Sequence, residues 1–165
     1  MSKFSRIFSF NFISAICIAL ISFSVMAASA QSALFAEKNF QALQKDPTEL
    51  FSKENTCYLK AILGKKDFDA FKETMAQMTN VDDEADYVSI SGNVKGLFTV
   101  MEGFFRMSKS GNVWIAYLTD GKVHYFTNDA ASVKQSPKVM QDWASRFKEA
   151  KWVDKEIKVD TKSCK

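Results

Sequence analysis

The sequence predicts an α+β domain with N-terminal helices, a four- to five-stranded antiparallel sheet and a C-terminal helix packed on that sheet. Three observations predict it. Apolar residues recur at helical spacing as far as Met78. From Tyr87 to Thr127 the period falls to two, in runs of β-branched and aromatic residues separated by glycines. Beyond Ser136-Pro137 the helical period returns. Helices, then strands, then a helix make an α+β arrangement rather than an alternating α/β one.

The first element is not part of the domain. Lys3 and Arg6 precede an almost wholly apolar run, Ile13 to Met26, and Ala28-Ser29-Ala30 then supplies small residues before Gln31. This is the order of a secretory signal peptide over residues 1–30. The run is short for a membrane span of about 20 residues, and no basic stop follows it. Cys17 sits within it without the small residues that precede a lipidated cysteine. Cleavage after Ala30 leaves one domain, 31–165, with no stable membrane anchor. The expected location is periplasmic or secreted, in a Gram-negative envelope. Losing Lys3 and Arg6 and no acid takes the net charge from +3 to +1. Nucleic-acid binders cluster Lys and Arg on one face, and nothing in this balance calls for such a partner.

Two cysteines remain, Cys57 and Cys164. In an exported chain they are expected to form one disulfide. In the chain-entropy model, closing a loop of about 100 residues contributes up to roughly 4.7 kcal/mol. CxxC spacing is absent, which argues against a redox pair.

The mature chain opens with a helical pattern at Leu34, Phe35, Phe40 and Leu43. Asp46-Pro47, a cap followed by a first-turn proline, restarts a short helix through Leu50 and Phe51. Cys57 to Leu63 is apolar and fits either a helix or a strand, the helix being favoured. Phe68, Phe71, Met75 and Met78 then line one helical face, a core stripe rather than a cofactor box. Asp82, Asp83, Glu84 and Asp86 lack the ligand spacing of a calcium loop and read as a solvated connection. YVSIS, VKGLFTVM, GFFRM, NVWIAYL and KVHYFT read as strands, with Gly92, Gly96, Gly103, Gly111 and Gly121 at turns or bulges. Ser136-Pro137 caps a helix carrying Met140, Trp143 and Phe147 on one face, and Trp152 to Val159 reads as an edge strand.

Asp120-Gly121, between two β-rich runs, is a hairpin signal. A two-residue turn sets Leu118 opposite Val123, Tyr117 opposite His124, Ala116 opposite Tyr125 and Ile115 opposite Phe126. One face then carries Trp114, Ala116, Leu118, Val123 and Tyr125, and the helix at 137–147 is expected to cover it. The other carries Ile115, Tyr117, His124 and Phe126. That face is either covered by the N-terminal helices or lies partly open as a protein-binding face.

No catalytic set is legible. His124 is the only histidine, and a lone histidine on a strand is usually structural. No GxSxG elbow, HExxH zinc motif or phosphate loop occurs. The sequence thus predicts neither a cofactor nor a metal site. An exported, disulfide-closed domain with an aromatic sheet suits a protein that binds another protein, as an inhibitor of a cell-wall hydrolase or an immunity protein against an envelope toxin. The different-class alternative is a periplasmic ligand-binding or chaperone-like module enclosing an apolar cavity.

CY at 57–58, FKETM at 71–75 and GKVHYFTND at 121–129 resemble the periplasmic immunity proteins against colicin M. The resemblance covers about half of the mature chain and implies a helix beside an antiparallel sheet and a neutralising role. Cys164 here follows an additional helix, whereas the family's second cysteine lies within its sheet.

Overall fold

The computed structural model describes residues 38–81, 84–148 and 150–156. The leader over 1–30, Leu34, Phe35 and Cys164 lie outside them. The described chain is α+β, with helices before the sheet and one short helix after its antiparallel part.

Residues 38–45 are helical (α1) and bury Phe40 and Leu43. Asp46 then caps a 3-10 turn, Pro47–Phe51, its carboxylate accepting the Thr48 amide at 2.8 Å. Ser52 caps α2 (Lys53–Thr74), which breaks at Gly64, where φ is 73° and ψ 166°. A left-handed φ there suits glycine alone, so the two halves of α2 lie at an angle. Met78 does not continue the helix as its spacing suggested. The chain turns at Met75 into β1 (Gln77–Asn80), and Met78 reaches the same core from that strand, opposite Gly92.

Strands β2 (Tyr87–Asn93), β3 (Glu102–Ser108), β4 (Val113–Thr119) and β5 (Lys122–Thr127) continue an antiparallel meander in the order of the sequence. After α3 (Lys138–Ala144), β6 (Lys151–Glu156) joins β5 in parallel and forms the sixth strand. The expected cap at Ser136-Pro137 is shifted by one residue: Pro137 itself is the N-cap and no side chain caps α3.

The sheet is covered on both faces. Val88, Ile90, Phe105, Met107, Val113, Ile115, Tyr117 and Phe126 pack under α1 and α2. Phe104, Trp114, Ala116, Leu118, Val123 and Tyr125 pack under Met140, Trp143 and Phe147. Gly92 and Gly103 are not turn residues but register partners inside strands. A β-carbon on Gly92 would lie 2.6 Å from the Met75 Cα, and one on Gly103 2.5 Å from the Met75 Sδ. These two glycines let the C-terminal end of α2 rest directly on the sheet.

Candidate functional site: the loop between β2 and β3

The hairpin register is the expected one: Leu118 faces Val123, Tyr117 faces His124, Ala116 faces Tyr125 and Ile115 faces Phe126. Asp120 and Gly121 both have positive φ, 50° and 66°, as a two-residue type I′ turn requires. Of the two outcomes for the Tyr117 face, the structure has the covered one. Ile115, Tyr117 and Phe126 are 0%, 2% and 3% exposed. The open binding face proposed for Ile115, Tyr117, His124 and Phe126 is therefore corrected, because α2 lies across it.

Only His124 among the four is half-buried, its ring stacked on that of Tyr117 at 4.6 Å and 13°. The Tyr117 hydroxyl donates to the Asp67 carboxylate at 2.7 Å. Burial, and then this carboxylate, push the Tyr117 hydroxyl well above the usual tyrosine range. The cluster ties α2 to the hairpin, which is a packing role.

Arg106 was not singled out by its sequence context, yet it is the buried cation of the opposite face. Its guanidinium donates to the Ser89 hydroxyl and the Glu84 carboxylate, both at 2.7 Å, and lies 4.0 Å from the Tyr87 ring centre. Alternation with Phe104 along β3 was the available signal. Glu84, read as part of a solvated acidic connection, supplies the counter-charge. Asp82 and Asp83 lie outside the described residues.

The exposed apolar surface is elsewhere. VKGLFTVM, residues 94–101, is not a strand. It is a loop that presents Leu97, Phe98 and Val100 at 41%, 58% and 55% exposure. Two left-handed residues make it turn: Gly96 at φ 82° and Thr99 at φ 66°. A β-branched residue in that region costs energy, so something must hold it there. Leu97 donates to the Val94 carbonyl, and Val100 and Met101 donate to that of Leu97. The Thr99 amide donates to Glu102 Oε1 at 3.0 Å.

Glu102 is 4% exposed, and its second oxygen accepts from Arg146 Nη2 at 2.5 Å. One carboxylate thus braces the loop against the chain that follows α3. Charge-assisted bonds of this kind are about twice as strong as neutral ones. The loop is an ordered apolar projection, with its β2 and β3 roots set on the glycine pair beneath α2.

Other openings carry less. A space among Leu43, Leu59, Phe105 and Met107 measures ≈ 10 Å³, too small for an organic ligand. An open groove of ≈ 640 Å³ runs beside α3 past Lys134, Gln135, Ser136 and Gln141. Among the described residues, no group of three or more His, Cys, Asp and Glu side chains could hold a metal ion. No described helix is long and apolar enough to cross a membrane. Cys57 is half-buried on α2.

No protein-family model, curated protein or solved structure matches the chain. The resemblance to the colicin M immunity proteins therefore rests on the residues quoted above.

Proposed function

We propose that the protein is an exported, periplasmic or secreted, protein-binding domain that neutralises a cell-wall hydrolase or an envelope toxin. The loop 94–101 is its contact surface in this reading. One observation carries the proposal: Leu97, Phe98 and Val100 stand exposed in a loop that backbone hydrogen bonds and Glu102 hold in a single shape. An apolar group already ordered before binding loses little entropy on docking, which is the condition for a tight inhibitor. The leader at 1–30 supports export, and the resemblance to immunity proteins supports neutralisation. A bridge from Cys57 to Cys164 belongs to the same proposal. Cys57 is not a free thiol.

The test is affinity capture from envelope extract with the mature wild-type protein and with Phe98→Asp. The expected result is one stoichiometric protein partner, retained by the wild type and lost by the variant, whose hydrolytic or toxic activity the wild type suppresses. A partner held equally by both proteins would remove the loop from the reading. A ligand-binding module is less well supported, because the space among Leu43, Leu59, Phe105 and Met107 is too small for an organic ligand and the larger groove beside α3 is open rather than enclosed.

A further inference from the structure

The strands place a set of charges at the end of the sheet from which the loop projects. The loop joins the end of β2 to the start of β3, and Glu102 at that start is the register partner of Leu118, next to the β4–β5 turn. Lys122 opens β5 and Lys151 opens β6, and the two are register partners on adjacent strands. Both are exposed, as is Lys95 within the loop. Arg146 reaches the same end through Glu102 and is half exposed there.

Against these four cations the described residues set Asp120, exposed in the turn, and Glu102, which is buried and taken up by Arg146. Lysines side by side on neighbouring strands repel one another in the free protein. An anionic partner would relieve that repulsion.

Resting on the loop as the contact surface, we infer the chemistry of the partner: a protein with a concave apolar cleft whose rim carries carboxylates. Leu97, Phe98 and Val100 enter the cleft, while Lys95, Lys122 and Lys151 face the rim. A projecting loop fits a concavity better than a flat face. A basic surround raises the encounter rate with an acidic rim and disfavours basic partners. Hydrolases that cleave glycans hold a pair of carboxylates where the substrate binds, so a basic surround suits them as partners and ties the inference to the inhibitor reading.

The experiment places the photoreactive residue benzoylphenylalanine at position 98 of the full chain in the intact envelope. The exposed position Lys66 on α2 serves as control. Irradiation should give one protein adduct from position 98 and none from 66, with the crosslinked peptide lying among apolar residues beside Asp and Glu. With that partner purified, Lys122→Glu/Lys151→Glu should associate roughly tenfold more slowly at low ionic strength. The difference should vanish at high salt, and unchanged melting of the variant confirms its fold.

A protein adduct whose association rate ignores both the charge reversal and the salt overturns the acidic rim but leaves the loop as the contact surface. An adduct on a basic surface does the same. Absence of any protein adduct overturns the loop reading as well. Crosslinking to lipid alone would make the loop a membrane contact, and both readings would fall.

Discussion

Gly92→Ala tests whether the seat of the loop depends on the close approach of α2 to the sheet. The added carbon would lie 2.6 Å from the Met75 Cα, 2.6 Å from its Sδ and 3.1 Å from the Thr74 carbonyl oxygen. Carbon contacts are ordinarily about 3.5–4.0 Å, so the backbone of α2 must lift by about 1 Å. Overpacking of this kind costs about 1–3 kcal/mol, and the lost flexibility of glycine in the unfolded chain returns up to about 1 kcal/mol. The net expectation is a loss of about 1–2 kcal/mol, read as a fall in melting temperature of roughly 4–8 °C for a domain of this size.

Gly103→Ala shares the Met75 Sδ, at 2.5 Å, but otherwise meets side-chain atoms only, the Thr74 Oγ1 at 2.7 Å and the Met75 Cγ at 3.0 Å. A methionine side chain can turn aside, whereas a backbone cannot. Met75→Ala should therefore relieve more of the cost of Gly103→Ala than of that of Gly92→Ala. A thermal-melt double-mutant cycle for each glycine with Met75 measures this. Equal relief in both cycles, or no cost for Gly92→Ala, would refute the packing argument.

Four further outcomes are expected. Tyr117→Asp should unfold the domain, because an unpaired charge at a position 2% exposed, beside Asp67, costs several kcal/mol against a total of about 5–15. Phe98→Asp should melt within about 0.5 kcal/mol of wild type, and equal damage from both would mean that the loop too is core. The Tyr117 hydroxyl is held neutral by burial and then by Asp67, so its contribution is complete below the ordinary tyrosine value of about 10 and is lost as pH rises above it. Urea titrations of wild type and Tyr117→Phe should accordingly converge above pH ~10, and a constant gap would refute the assignment. Glu84→Gln should cost about 1–2 kcal/mol, modest because Glu84 is half exposed and Arg106 keeps Ser89 and the Tyr87 ring, and an unchanged denaturation midpoint would show the pair to be idle.

Most of the architecture was legible because periodicity reports which side of an element is buried. The Asp120-Gly121 turn is read from two residues and sets the whole hairpin register, since a two-residue turn fixes which residues lie opposite each other. The errors have local causes. Met78 continues the helical spacing of Phe68 and Phe71, yet the same residue on an edge strand packs into the same core, so spacing alone does not separate the two. Gly92 and Gly103 resemble turn signals because the sequence shows the missing side chain but not the helix that fills its place. Arg106 is concealed by a partner seventeen residues upstream in Ser89 and another in Glu84, neither of which any local pattern pairs with it.

The loop 94–101 was misread for a reason that bears on function. A run of Val, Leu, Phe, Thr, Val and Met has the composition of a strand, and residues of that kind are ordinarily placed where they can be buried. Here Gly96 and Thr99 take left-handed backbone, which a regular ladder does not accommodate, and three of the run's large side chains stay in water. Each sheet face, meanwhile, is already spent on its own core, one beneath α1 and α2 and the other beneath α3. A sheet so covered can itself meet a partner only through its edges and ends. Of the four large apolar side chains exposed among the described residues, three belong to this loop, and the fourth, Val81, lies at the opposite end of β2, where its amide pairs with Ser89. Glu102 then holds in place a conformation that gains nothing from burial in the free protein. A brace on an unburied apolar loop stabilises a shape whose apolar surface leaves water only when something docks on it, and this is why the contact surface is sought here rather than on the aromatic hairpin.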